Sequence, residues 1–309
     1  ADFHGNVEHM KNLIEAVNVH KPDVFVYVGD LGPSKTAFST PIEQCEQVIQ
    51  TMLIPMSKLN AKLKFVMPGN TDYEWAIKQY KNQFTDPSIL QIVEDESFQT
   101  EEFNFMFMSK IAYTKKCLKD RELFEKFQTQ IHNVNHIFTK QQFSEEGSEF
   151  LANNTLTYNT KYFDIFENFD AVTNDYKSKL SPTIYDTLQK LYVTGKKNII
   201  FSHGPPMNTV ADLSSAKKQT HSGSIDIRKF LEHNSVHALF CGHIHQAVLM
   251  SGKYEDEINQ CKIYAIGNTG IDGPTYFLNM HYLLYDLSSC QRISTVCDGI
   301  EAFYGRQFE

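Results

Sequence analysis

The sequence predicts an α/β protein, and three observations carry that prediction. Short apolar runs with the length of buried strands alternate with segments of helical periodicity over residues 24–67. The same alternation returns over residues 183–245, and short strand-like runs separated by turn residues follow it. Alternation of this kind is typical of layered α/β folds with parallel strands.

The amino-terminal part of the chain has the β-α-β pattern of such a fold. Apolar residues recur at helical spacing before and between two continuous apolar runs. His9 and His20 lie in the first helical segment, where we expect solvated side chains rather than ligands. The predicted elements are a helix at residues 7–19, a strand at 24–28, a helix at about 42–59, a strand at 63–67 and a short helix after Asp72.

The middle of the chain departs from this pattern. Residues 88–112 suggest a hairpin or meander, in which Phe103, Phe105 and Phe107 indicate a strand with one more strongly apolar face. Residues of about 113–180 are predicted to be a largely helical insertion, with a helix near 117–136 and an aromatic-rich stretch after it. Two interpretations stay open: a subdomain with its own small core, or a cap that selects the substrate.

The carboxyl-terminal part returns to the α/β pattern. We therefore predict one domain over residues 1–309 that contains the insertion. The predicted elements are a helix at about 183–193, a strand at 198–201, a helix at 225–233, a strand at 236–240 and short strands at 247–250, 261–266, 281–285 and 292–296.

Composition limits the class of protein. The 309 residues are 41% hydrophobic, which is enough for a substantial core. A net charge of -8 disfavours a nucleic-acid partner, which usually needs a basic face. The 6 cysteines form no Cys-x-x-Cys pair and predict reduced thiols in an intracellular, cytoplasmic protein. No apolar run reaches the roughly 18 residues of a membrane span, and no signal peptide is visible. The oligomeric state is not readable from the sequence.

Side chains that bind metals follow several of the predicted strands. In open α/β sheets the chemistry lies at the carboxyl ends of the strands. His243 and His245 lie on the same side of an extended segment, although two exposed loop histidines would look alike in sequence. The combination is hard to explain by packing. The segments are Asp2-Phe3-His4, Gly29-Asp30, Gly69-Asn70, His203 and Gly242-His243-Ile244-His245.

The order of these motifs resembles that of the calcineurin-like metallophosphoesterase superfamily. Ser202-His203-Gly204-Pro205-Pro206 and His221-Ser222-Gly223-Ser224 are similar to a prokaryotic-type subgroup of these enzymes. Ile266-Gly267-Asn268-Thr269-Gly270 resembles a later turn of that subgroup without its usual proline. The resemblance implies two β-sheets packed face to face and flanked by helices. It also implies a first strand ahead of Asp2, so we expect the sequence to begin inside the fold.

The candidate ligands are seven side chains that offer nitrogen or oxygen. Without cysteine among them, a structural zinc site is disfavoured. Seven ligands exceed the need of one small ion and suit two ions about 3.5–4 Å apart, bridged by a carboxylate. Manganese, iron, zinc or nickel would accept these ligands, and manganese is preferred. The resemblance implies Asp30 as the bridge, Asp2, His4 and His245 on one ion, and Asn70, His203 and His243 on the other.

Two such ions predict a phosphoric ester hydrolase. They polarise phosphoryl oxygens and bind water as hydroxide, which can attack phosphorus in line. The expected substrate is a phosphorylated small molecule or a phosphodiester. The predicted catalytic residues are Asp30, Asn70, His203 and Asp72.

Thr71 departs from the family pattern. Many members have a histidine directly after Gly-Asn, which is taken to protonate the leaving group. A threonine hydroxyl is too weak an acid near pH 7 to do so. We therefore favour a phosphodiester over a phosphomonoester or phosphoprotein substrate. His132 and His136, in the insertion, are candidates for another acid by position only.

Two other classes of protein fit the sequence less well. A metallo-β-lactamase-type hydrolase would show its His-x-His-x-Asp-His cluster together and early, whereas here Asp-x-His comes first and His-x-His comes last. A scaffold that has lost its chemistry tends to lose ligands, and this chain keeps all seven positions.

Overall fold

The structure is a computed structural model of the chain. It describes residues 1–33, 41–112, 121–123, 125–126, 182–215, 220–267, 281–289 and 291–297. Most of the predicted insertion, including His132 and His136, lies outside the described residues. Within the helix predicted near 117–136, the described residues Glu122–Leu123 form a short strand that pairs with Ile111–Ala112, so the prediction is wrong there.

A four-stranded sheet, counted over the described residues, carries the amino-terminal part of the chain. Its strands pair in the order β1-β2-β4-β3, and β1, β2 and β4 are parallel. The short β3 pairs antiparallel with β4 at the edge. The strands are β1 (Val24–Val28), β2 (Leu63–Met67), β3 (Thr85–Asp86) and β4 (Leu90–Ile92).

The predicted helices beside this sheet are confirmed. Asn6 caps the first of them, because its side chain accepts hydrogen bonds from the amides of Glu8 and His9. The helix predicted at 42–59 contains a π turn at Ile49–Leu53. It precedes Pro55, which has no amide hydrogen for the α-helical ladder. The helices are α1 (Val7–His20), α2 (Pro41–Val48), α3 (Ile54–Ser57) and α4 (Glu74–Gln83).

A six-stranded sheet, again within the described residues, carries the rest of the core. Its strands pair in the order β13-β14-β12-β9-β6-β5, and the four central strands are parallel. The edge strands β13 and β5 pair antiparallel with their neighbours. The strands are β5 (Glu96–Gln99), β6 (Phe103–Met108), β9 (Lys197–Ser202), β12 (Ala238–Cys241), β13 (Glu255–Ile258) and β14 (Cys261–Ala265).

Shorter elements surround this sheet. Thr183 begins α5 with a capping box to Asp186, and Ser224 caps α6. The remaining elements are β7 (Ile111–Ala112), β8 (Glu122–Leu123), α5 (Ile184–Leu191), β10 (Leu213–Ser215), β11 (Thr220–His221), α6 (Ile225–His233), α7 (Ala247–Ser251), β15 (His281–Asp286) and β16 (Gln291–Cys297).

The two sheets pack face to face between outer layers of helices, which confirms the predicted fold class. Phe65 and Met67 of β2 share one apolar cluster with Phe107 and Phe201 of the larger sheet. A second cluster lies beneath α1 and the helices that follow it, and a third beneath α5 and α6. Among the described helices, none has the length and apolar character that a membrane crossing requires.

Besides the helix near 117–136, two expectations from the sequence were wrong. Residues 247–250 belong to the helix α7 rather than to a strand, because four apolar residues cannot distinguish the two by periodicity. His9 is buried, with its ring 5.4 Å from that of Phe3. The strand expected at Phe103–Phe107 is confirmed as β6, with its phenylalanines together on the face toward the other sheet; its second face is buried as well, because Met106 and Met108 face the helices.

Candidate metal centre

The polar side chains singled out in the sequence gather at the carboxyl ends of the parallel strands. Asp30 follows β1, Asn70 follows β2, and His203 follows β9. The amino-terminal segment joins them by running beside the end of β1. The amide of Asp2 donates to the carbonyl of Gly29 at 2.9 Å. The sheet edges therefore bring together residues that lie far apart in the chain.

A first cluster contains Asp2, His4, Asp30 and His245. One ligand atom from each lies within 4.8 Å of the others, and these atoms could hold a metal ion. The Nε2 atoms of His4 and His245 are 2.9 Å apart. His4 Nε2 is 3.6 Å from Asp30 Oδ2, and His245 Nε2 is 3.5 Å from Asp2 Oδ1.

A second cluster contains Asp30, His203 and His243, whose ligand atoms also lie within 4.8 Å of one another. His203 Nε2 is 3.2 Å from Asp30 Oδ1 and 3.0 Å from Asn70 Oδ1. The rings of His203 and His243 meet edge to face at 5.1 Å. Asp30 belongs to both clusters, and its two oxygens face different histidines.

The backbone fixes which nitrogen each inner histidine presents. His4 Nδ1 lies 3.3 Å from the carbonyl oxygen of Gly32, and His203 Nδ1 lies 3.3 Å from that of Val28. A carbonyl only accepts, so these Nδ1 atoms carry the proton. Each Nε2 lone pair is then directed into the cluster, which is how a histidine ligand is usually oriented.

The turns that carry the ligands have an unusual backbone. Asp2, His4, Asp30 and His243 have positive φ angles of 57°, 49°, 56° and 70°. Left-handed backbone at residues other than glycine costs free energy and is concentrated at functional sites. Gly69 has a different reason to be small, because a Cβ there would overlap Asp30 and His203.

Backbone amides also hold the carboxylates. The amide of His243 donates to both oxygens of Asp2 at 3.1 Å, and the amide of Thr71 donates to Asp30 Oδ1 at 2.8 Å. The buried hydroxyl of Tyr27 accepts from the amide of Phe3 at 2.7 Å and donates to the carbonyl of Asp30 at 3.1 Å. Burial raises the pKa of Tyr27, so this hydroxyl stays protonated.

Asp72 lies outside both clusters and binds the turns that carry them. Its carboxylate accepts from the amides of Gly69 at 2.7 Å, Leu31 at 3.1 Å and Gly32 at 2.9 Å. Burial raises its pKa to about 6, and the nearby Asp30 adds to this, while the three amides oppose it. The carboxylate of Asp72 therefore connects the Gly-Asp turn to the Gly-Asn turn.

The side chain of Thr71 is turned to the backbone. It is buried, and its hydroxyl donates to the carbonyl of Gly32 at 3.2 Å. This hydroxyl is therefore engaged within the loop.

The two inner histidines respond differently to their surroundings. Burial lowers the pKa of His4 and outweighs the attraction of Asp30. Burial also disfavours a charged His203, but Asp30 and Asp2 together outweigh it, so the pKa of His203 is raised. A metal ion binds the neutral form of an imidazole. The raised pKa of His203 therefore makes metal binding at this residue depend on pH.

All seven ligand candidates named from the sequence meet at this site, as two clusters that share Asp30. The donor set fits hard or borderline divalent ions, because it contains carboxylate, amide and imidazole groups and no thiolate. Tyr27 was missed in the sequence. The sequence feature that could have indicated it is a tyrosine within a strand predicted to be buried, because a buried tyrosine hydroxyl usually needs a hydrogen-bond partner.

Fold and site together define an α/β protein in which side chains with nitrogen and oxygen ligand atoms meet at the carboxyl ends of strands from two packed sheets. Residues 1–247 match the family of calcineurin-like phosphoesterases. The chain belongs to this family, whose members generally hydrolyse phosphoesters with the help of divalent metals.

Individual relatives are distant. An uncharacterized protein of Methanocaldococcus jannaschii, MJ1162, is 33% identical over 105 residues, which cover 33% of this chain and 41% of that protein. The match thus spans less than half the length of that relative. The crystal structure of TT1561 of Thermus thermophilus has a TM-score of 0.50 and 12% identity, covering 96% of this chain and 95% of that one. A further crystal structure has a TM-score of 0.54 at 13% identity, covering 96% of both chains. These two structures show the fold alone.

Proposed function

We propose that this protein is a phosphodiesterase that uses two divalent metal ions. The observation that carries the proposal is the position of Asp30, whose two oxygens face separate clusters of ligands. A bridging carboxylate between two sets of histidines is the arrangement that a two-metal hydrolase needs.

Each side chain has a distinct part in this proposal. Asp2, His4 and His245 would hold one ion, Asn70, His203 and His243 the other, and Asp30 would bridge them. When bound, a pair of such ions stabilises the charge that develops on phosphoryl oxygens and lowers the pKa of water. The chain contributes preorganisation, because backbone amides fix Asp2 and Asp30 before any ion arrives.

Manganese is the ion that we favour, with iron, zinc and nickel as alternatives. Imidazole and carboxylate ligands accept all four, and the order of affinities alone does not select among them. The metal content of the purified protein, measured by mass spectrometry, would identify the ions.

The preference for a diester follows from Thr71. Its hydroxyl is engaged with the carbonyl of Gly32 and is too weak an acid to protonate a leaving group near pH 7. A phosphomonoesterase or protein phosphatase with the same fold is the alternative. The second alternative is a protein that binds metal but catalyses no reaction.

The test compares bis(p-nitrophenyl) phosphate with p-nitrophenyl phosphate in the presence of Mn²⁺, for the wild type and Asp30→Asn. We expect turnover mainly of the diester, and its loss in Asp30→Asn together with bound metal, while circular dichroism shows an unchanged fold. Full activity of Asp30→Asn would refute the proposal. Preferential turnover of the monoester would favour the alternative enzyme, and two bound ions without turnover of either ester would favour the scaffold.

A further inference from the structure

A buried aspartate and a half-exposed histidine form a pair outside the metal centre. His221 Nδ1 lies 2.6 Å from Asp212 Oδ1. Asp212 has no exposed surface, whereas 31% of the His221 side chain is exposed. The carboxylate of Asp212 also accepts from the amides of Asn208, Thr209 and Gly223 at 3.0, 2.9 and 3.0 Å. Asp212 is therefore fixed, and it fixes the imidazole in turn.

Backbone contacts connect the segment that carries the pair to the turns that follow His203 and His245. On one side, the amide of Ser224 donates to the carbonyl of Pro205 at 2.8 Å, just after the turn of His203. On the other side, Leu213 pairs with His221, and β10 packs against α7, which begins two residues after His245. The chain therefore brings an imidazole to the same edge of the larger sheet as the ligands.

The chemistry of the pair is that of an oriented proton donor. A carboxylate that binds Nδ1 fixes the orientation of the ring and leaves Nε2 available for a second partner. Imidazole is the group most often used to transfer a proton near neutral pH. Other charged side chains at this loop bind its backbone: Arg228 donates to the carbonyls of Met207 and Asn208, and Asp256 accepts from the amide of Val210.

We propose that His221, oriented by Asp212, is the general acid that protonates the leaving group. This inference rests on the proposed two-metal hydrolysis and deepens it, because it supplies the acid that Thr71 cannot. Such an acid would serve a monoester as well, so the preference for a diester then depends on the comparison of the two p-nitrophenyl esters. The substrates would then be phosphoesters of unactivated alcohols, whose alkoxides leave poorly without a proton.

The step balances without any further reactant. The oxygen of a water molecule forms a bond to phosphorus, and the bond between phosphorus and the leaving oxygen breaks. The proton on His221 Nε2 passes to that leaving oxygen, which departs as a neutral alcohol. A proton from the attacking water is released to solvent, and His221 takes up a proton from solvent before the next cycle.

The experiment uses the dependence of the rate on the leaving group. Wild type, His221→Gln and the control His233→Gln are assayed with bis(p-nitrophenyl) phosphate and diphenyl phosphate. The p-nitrophenolate ion leaves without help, whereas phenolate benefits from protonation. We expect His221→Gln to lose at least about a hundredfold on diphenyl phosphate, the size of a general-acid contribution. Its activity on bis(p-nitrophenyl) phosphate should stay near that of the wild type.

His233→Gln is the matched control, since His233 lies on α6, where it contacts Tyr185. It should leave both rates unchanged. Equal losses of His221→Gln on both esters would mean that the pair only supports the loop, and this would overturn the inference.

A binding measurement separates this inference from the proposed function. The zinc-loaded protein is titrated with inorganic phosphate while the ring nitrogens of His221 are observed by NMR. We expect the Nε2 resonance to shift on binding and the affinity for phosphate to fall in His221→Gln but not in His233→Gln. If the wild type hydrolyses neither diester, the proposed function fails, and the titration still decides whether His221 reaches a phosphate. An unshifted resonance with phosphate bound would overturn the role of His221.

Discussion

The ligands of the candidate metal centre fall into two groups that the fold holds in different ways. The inner group is buried, comes from separate segments of the chain and is fixed by hydrogen bonds. The outer group, His243 and His245, is half-buried and lies on one loop after β12. The candidate centre is therefore more exposed at His243 and His245 than at the inner residues. The inner residues are Asp2, His4, Asp30, Asn70 and His203.

We expect the largest effect from replacing one histidine of each group, with a similar loss of metal affinity but a different loss of stability in the metal-free protein. We expect both His203→Gln and His245→Gln to lower metal affinity by more than about a hundredfold, beyond the usual cost of losing a residue that only orients a ligand. The comparison lies in stability. Without metal, His203→Gln should lose about 1–3 kcal/mol in unfolding free energy, because the buried carbonyl of Val28 loses the donor that Nδ1 of His203 provides. His245→Gln should change stability by no more than about 0.5 kcal/mol.

Urea unfolding in the presence of a chelator would measure stability, and isothermal titration with Mn²⁺ would measure affinity. Equal stability of the two variants would show that the inner group is no more fixed than the outer one. The contrast between the two groups would then be lost.

Replacing Asp72 tests whether metal binding by the inner group depends on a residue outside the candidate ligand set. In Asp72→Asn, the amide oxygen can keep some of the three backbone donors, but the amide nitrogen cannot accept from the rest. We expect metal affinity to fall about tenfold, a typical cost of disturbing a residue that orients ligands. The measurement belongs at pH 8, above the pKa of about 6, where the wild-type carboxylate is charged.

The control for this prediction is Asp86→Asn, the same substitution at an exposed turn where Asp86 binds Ser88. It should leave affinity unchanged. As the pH falls below about 6, Asp72 of the wild type takes up a proton, so the gap between wild type and Asp72→Asn should narrow. A gap that does not depend on pH would show that the charge of Asp72 is not what matters.

Five candidate ligands were readable from the sequence because they follow apolar strands, and parallel strands bring their carboxyl ends to one edge. They are Asp30, Asn70, His203, His243 and His245. The strands at 24–28 and 63–67 and the helix at 225–233 have the bounds that the apolar pattern predicted. The two strands form continuous apolar runs because both of their faces pack against other residues, and the helix shows helical spacing because one of its faces is buried.

Other features depended on contacts that no local pattern contains. The short run at 247–250 became a helix because Gly252 ends it in a left-handed cap beside β10. His9 was expected to be solvated, yet Phe3 covers it, and that contact exists only once the amino-terminal segment lies against α1. Asp72 carries the family motif, but its three backbone partners come from two turns that are about forty residues apart.

Replacing Tyr27 should have the smallest effect on metal affinity, because its hydroxyl binds the backbone of Phe3 and Asp30 rather than a ligand side chain. Tyr27→Phe leaves the amide of Phe3 buried without its acceptor and removes one donor from the carbonyl of Asp30, which still accepts from the amide of His4. We expect a loss of about 1–2 kcal/mol in unfolding free energy, the usual cost of one unsatisfied buried donor. Metal affinity should fall only a few fold, since Asp2 and His4 keep their own backbone bonds to the loop after β1.

Tyr80→Phe is the matched control, because Tyr80 is buried in the same apolar cluster. Within the described residues, its hydroxyl has no hydrogen-bond partner. Removing that hydroxyl should leave metal affinity unchanged and should not lower stability, as it exposes no new unpaired group. Equal effects of the two substitutions on metal affinity would show that burial of a tyrosine, rather than the bridge from Phe3 to Asp30, accounts for the result. A weaker affinity in Tyr27→Phe alone would extend the inner group by a residue that never touches the metal.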